Sequence, residues 1–144
     1  MNKIIISVFL LAPCHTLEAQ NINDFLIGGA MDLIKTDNTK LFNKVQTGFE
    51  VNYFVRDNFA VGAGGEFWTQ KNSFMMGVRW YPADKIFVRF RGLIGVNDAA
   101  LGAGWVRPLD RNFRFEAMGD FYISKPQLAL RAGIAYAINY VTGK

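Results

Sequence analysis

The run LALRAGIAYAINY, from Leu128 to Tyr140, decides how this chain is read. Leu128, Leu130, Ala132, Ile134, Tyr136, Ile138 and Tyr140 are apolar and occupy every second position. Ala129, Arg131, Gly133, Ala135, Ala137 and Asn139 between them are small or polar. Side chains alternate faces along a strand, so this stretch is a two-faced ribbon. A helix would need apolar residues every third or fourth position instead.

Working outward, the same period of two recurs along the chain. It predicts strands over 25–35, 45–55, 59–69, 74–81, 86–96, about 100–107, 113–123 and 128–140. Arg56-Asp57-Asn58, Lys71-Asn72, Pro82-Ala83-Asp84, Asn97-Asp98, 108–112 and 124–126 read as turns, and the polar stretch 36–44 as a loop. Ala100 to Arg107 is the weakest of these strands. The result is about eight strands of the length that a tilted membrane strand needs. Short turns between successive ribbons make every neighbour antiparallel. Such a sheet, apolar on one face, closes into a barrel or folds into a sandwich.

Alternation alone leaves open which face looks inward. A soluble barrel puts its apolar face inside; a membrane barrel puts it outside. The polar face decides the matter. It carries Asp32, Glu50, Glu66, Glu116 and Asp120 against Arg79, Arg89, Arg91, Arg114 and Arg131. The signs balance, and each mid-strand cation is Arg, whose planar fork suits buried carboxylates. The lysines Lys35, Lys40, Lys44, Lys71, Lys85, Lys125 and Lys144 fall at strand ends, in turns or at the terminus. The opposite face has no charge in any strand interior, which suits lipid. These ten charged residues are therefore expected to form an interior network, with bulky Phe54, Trp68, Phe87 and Tyr122 filling the lumen beside them.

Hairpins centred on the turn residues set a register. Glu50 is then expected opposite Gly64, Glu66 opposite Gly48, Arg89 opposite Gly77, and Glu116 close to Gly104. Glycine facing a long side chain makes room in a narrow barrel. A turn at Lys125-Pro126 puts Asp120 opposite Arg131 as a cross-strand ion pair. On the outer face, Phe25, Tyr53, Phe59, Trp80, Trp105, Phe113 and Tyr140 gather at one rim as a candidate aromatic girdle. Phe67, Phe74 and Phe121 approach the other rim.

The first residues read as a secretory signal. Lys3 supplies the positive start, Ile4 to Ala12 the apolar run, and Leu17-Glu18-Ala19 a cleavage site, giving a signal peptide over 1–19 and a barrel domain over 20–144. Cleavage before Cys14 would instead make a lipoprotein, but Pro13 and His15 flank that cysteine unfavourably. The chain has one Cys and one His, at 14 and 15, so the expected mature chain has neither. That removes a disulfide framework, the commonest general base, the thiol nucleophile and the usual zinc ligands. No cofactor is implied. The net charge of +4 comes from scattered residues and forms no nucleic-acid footprint.

Arg131, Gly133, Tyr136 and Ile138 form polar-x-Gly-x-x-aromatic-x-apolar, which resembles the C-terminal insertion signal of outer-membrane barrels. The chain as a whole resembles the small OmpA/OmpX-type outer-membrane β-barrel family. It departs from it in ending on Val141-Thr142-Gly143-Lys144 rather than on an aromatic residue. The resemblance implies an all-β, closed antiparallel up-and-down transmembrane barrel, monomeric, in the outer membrane of a Gram-negative bacterium. Its implied partners are outer-membrane lipid and lipopolysaccharide, the barrel assembly machinery during biogenesis, and an envelope protein. The expected role is structural or interactive and non-enzymatic. The alternatives are a narrow channel for ions or small solutes and, more remotely, a lipid A-modifying enzyme. Enzymes of that last kind rely on His with Ser, and the expected mature chain lacks His.

Overall fold

A computed structural model describes residues 21–35, 46–68 and 71–139. The expected signal peptide, the loop over 36–44 and girdle residue Tyr140 lie outside these residues. The strands are β1 (Phe25–Lys35), β2 (Gln46–Arg56), β3 (Phe59–Trp68), β4 (Asn72–Ala83), β5 (Ile86–Ile94), β6 (Asp98–Pro108), β7 (Phe113–Tyr122) and β8 (Gln127–Ile138). Each pairs with the next, and β8 pairs back onto β1, so the sheet closes into a barrel. All pairings are antiparallel.

Paired residues can be followed around the wall from Leu26 through Asn52, Gly62, Gly77, Arg91, Ala100 and Tyr122 to Gln127. Leu26 itself pairs across the closing seam with Ala137. The circuit thus closes with a stagger of ten residues, from 127 to 137. A stagger of this kind accompanies strands tilted by roughly 35–45° to the axis.

The apolar face is the outer one. Ile27, Phe49, Val61, Met76, Phe90, Leu101, Phe121 and Ile134 all stand exposed. Large apolar side chains over a whole surface are unfavourable in water and favourable in lipid. The inner face is layered. At the end where β1 starts and β8 finishes, here the terminal end, Leu26, Phe54, Ala60, Tyr81, Phe87 and Val106 pack together. At the opposite, loop end, Met75, Leu93, Ala100, Tyr122 and Ala129 pack with Trp68 and Val96 against them. Strand β5 shows the order plainly: Phe87, Arg89, Arg91 and Leu93 are all buried, with charge between the apolar ends.

The registers of β2 and β3 are as expected, with Glu50 opposite Gly64 and Glu66 opposite Gly48. Three other expectations are corrected. Arg91, not Arg89, faces Gly77, because the chain reverses at Asp84-Lys85, beyond the expected centre of the turn, and an irregularity between Trp80 and Ala83 keeps the faces in step. Gly104 faces Met118, and Glu116 faces Val106. Asp120 faces Ala129 rather than Arg131, whose partner in β7 is Met118. In the last two hairpins the chain reverses a residue away from the residues that most resemble a turn. Moving a turn centre by one position moves the register by two, so the faces stay correct while the partners change. Likewise Asn72, expected in a turn, pairs with Phe67 as the first residue of β4.

Candidate functional site: a buried chain of alternating charge

The ten charged residues of the polar face all point into the barrel. Nine are held by ion pairs to two or more partners, and the connections order them into one line. Arg114 Nε lies 3.4 Å from Glu116, which accepts from Arg79 Nη1 through both oxygens at 2.8 and 2.9 Å. Arg79 reaches Glu50 at 3.4 Å, and Glu50 lies 3.6 Å from Arg89. Arg89 donates through Nε and Nη2 to the two oxygens of Asp120, at 3.0 and 2.5 Å. Arg91 donates to Asp120 at 2.6 Å and also to Glu66. Glu66 accepts from Arg131 at 2.7 Å, and Arg131 Nε lies 2.6 Å from Asp32. The line ends where the Lys35 ammonium stands 3.3 Å from Asp32.

Charge alternates at every step of this line, so each buried carboxylate meets a cation and each guanidinium meets a carboxylate. A buried charge left alone is destabilising by several kcal/mol, and alternation removes that cost at each position. The bidentate fork of Arg89 on Asp120 adds directionality. Seven strands contribute to the line. The eighth, β6, supplies space: Gly102 pairs with Arg89 on one side and Asp120 on the other. A Cβ there would collide with Asp120 Oδ1. The missing side chain lets β5 and β7 bond across the intervening strand.

Asp120 and Arg131 are not cross-strand partners, but they remain in the same network at 3.6 Å. Lys35 is the residue that the alternation missed. It is only 9% exposed and points inward although Asp32, three positions earlier, also does. The ladder of β1 on β8 shifts between Asp32 and Ile34, and the extra residue reverses the parity of the strand. The adjacent apolar residues Leu33 and Ile34, both exposed, are the mark of that bulge in the sequence. Gln46 and Tyr81 also went unassigned. Gln46 accepts from Lys35 at 2.5 Å, and the Tyr81 hydroxyl accepts from Arg79 and Arg114, each at 3.3 Å.

Of the residues in the insertion pattern, Arg131 and Gly133 face inward and Tyr136 and Ile138 outward. Tyr136 packs edge-on against Phe113, with centroids 4.8 Å apart, and Phe25 packs against Tyr53 at 4.9 Å. Trp80 and Trp105 stand exposed on the same rim, and Phe59 pairs with Trp80. Among the described residues no group of His, Cys, Asp and Glu is arranged to hold a metal. A small, partly open space of about 20 Å³ lies beside the charged layer, bordered by Glu50, Glu66, Arg79, Arg89 and Arg131. That is room for about one water.

A closed eight-stranded wall, apolar outside and ionic inside, defines a small transmembrane β-barrel. The solved structures it resembles are of that kind. A de novo designed transmembrane β-barrel matches with a TM-score of 0.64 at 16% identity, over 83% of this chain and 99% of the other. The N-terminal β-barrel domain of Pseudomonas aeruginosa OprF matches with a TM-score of 0.64 at 14% identity, over 83% of this chain and 100% of that domain. The designed barrel TMB2.3 matches with a TM-score of 0.58 at 20% identity, over 83% and 97%. At these identities the likeness is one of fold. No protein-family model and no curated protein matches the sequence.

Proposed function

We propose that this chain is a small integral barrel of a Gram-negative outer membrane with a non-enzymatic structural or interaction role. The observation that carries the reading is the layered interior. Packed side chains fill the lumen towards both ends, with Lys35 and Gln46 among them at the loop end, and a cross-linked ionic layer lies between. A lumen filled in this way favours that role over the alternative of a narrow channel. Residues 1–19 act as the export signal, and the Arg131, Gly133, Tyr136 and Ile138 pattern is read by the assembly machinery. Lipid contacts the exposed apolar wall, with the girdle residues at the headgroups. Lys71 and Lys125, at the end away from the termini, face lipopolysaccharide phosphates. The barrel works as a monomer, and an envelope protein is its further partner.

Purified barrel in a planar bilayer tests the reading. No reproducible conductance steps are expected; regular steps would install the channel in its place. Membrane fractionation with heat-modifiable mobility on gels tests the location, and recovery in the soluble fraction would overturn it.

A further inference from the structure

The loop end of the lumen holds an arrangement that balancing charge does not require. The Lys35 ammonium donates to Gln46 Oε1 at 2.5 Å and lies 3.3 Å from Asp32. It also stands over the faces of two rings, 4.0 Å from the centroid of Trp68 and 4.8 Å from that of Tyr122. Asp32 needs no second cation, since Arg131 already engages it at 2.6 Å. Two aromatic faces, a carboxylate and an amide oxygen around one nitrogen are the components of an ammonium receptor. Strand β1 has to bulge at Leu33 to deliver Lys35 there.

We propose that the loop end of the barrel is a recognition site for a primary ammonium group, and that the chain's own Lys35 occupies it as an internal stand-in. Two buried donors point to more than an ammonium. Among the described residues Gln46 Nε2 and Trp68 Nε1 have no hydrogen-bond partner, and Gln46 and Trp68 face each other across β2 and β3. A ligand with an acceptor oxygen close to its ammonium, as in an amino alcohol, uses both sets of groups. Lys35 is the last residue of β1, so displacing it would release the end of that strand from the lumen.

The test replaces Lys35 with alanine in the otherwise unaltered protein. It reads the urea midpoint of the heat-modifiable gel shift with ethylamine, ethanolamine or tetramethylammonium chloride at matched ionic strength. Lys35→Ala is expected to lower the midpoint. Ethylammonium is expected to restore at least half of the loss and ethanolammonium more, while tetramethylammonium, which has no N–H, restores none. Lys35→Met, whose apolar stem fills the space, is expected to respond to none of them. If Lys35→Ala does not fold in plain buffer, the yield of folded barrel is read against the same salts, with the same order expected. In the unaltered protein, Lys35 is expected to be acylated several-fold more slowly than Lys71 or Lys125. Rescue by tetramethylammonium equal to that by ethylammonium, no rescue by any amine, or acylation of Lys35 as fast as of Lys71 would overturn the proposal. Equal rescue by the two amines would overturn its acceptor-oxygen part.

Discussion

At the terminal end, Phe54, Tyr81 and Phe87 pack ring against ring, with centroids 5.7 and 5.6 Å apart, over short turns. At the loop end, Trp68 and Tyr122 are also neighbours, 6.1 Å apart, but a lysine ammonium stands over both rings. The terminal end therefore closes by dispersion and exclusion of water, and its one ring hydroxyl, on Tyr81, accepts from Arg79 and Arg114. The loop end closes by placing a charge between aromatic faces, beside Gln46 Nε2 and Trp68 Nε1, which have no hydrogen-bond partner among the described residues. An end that has only to seal can be packed like a core. A charge enters such a seal only where aromatic faces and acceptor oxygens receive it, as they do at the loop end.

The charged layer joins the two ends, so the largest effect is expected from cutting it. Arg131→Leu leaves Glu66 and Asp32 short of a cation and should destabilise the barrel by roughly 3–5 kcal/mol. Adding Asp32→Leu should recover part of that, read as the urea midpoint of the folded gel band. An unchanged midpoint for the single variant would mean that the layer does not hold the ends together. Phe87→Ala tests the packed end. A loss of about 3 kcal/mol is expected, because Gly104 beside the ring has no side chain to fill the space.

Gly102→Val probes the gap in β6 that joins Arg89 to Asp120. Overpacking should cost about 1–3 kcal/mol and slow refolding into lipid, whereas Gly92→Val on the lipid face should be tolerated. The smallest effect belongs to the loop end. Lys35→Met should cost only about 1 kcal/mol, since Arg131 still serves Asp32. A loss as large as that of Phe87→Ala would erase the contrast and make Lys35 a packing element.

Apart from the bulged end of β1, the faces of the strands were legible in the sequence, because a period of two is a local property of the chain. The inward Arg and carboxylate set was legible for the same reason, together with the confinement of Lys to strand ends. The pairs within the set were not. Strand order around the barrel brings Arg79 of β4 to Glu116 of β7 and Arg91 of β5 to Glu66 of β3, which are not neighbouring strands. Turn positions in a sequence imply only cross-strand register, which misses contacts made across the lumen. The register was itself displaced where reversals fall beside the best turn residues, at Asp84-Lys85 and in the last two hairpins.

By itself the sequence determined that this chain is all strand, that its apolar face is continuous enough for lipid, and that its inner charges must be matched. Those properties follow from alternation and composition, which need no knowledge of what lies far away along the chain. Only the tertiary structure decided that the matched charges form one line from Arg114 to Lys35. Only there do Gly102 and the bulge at Leu33 acquire their roles, since each depends on what closure of the barrel brings to the other side of a narrow lumen.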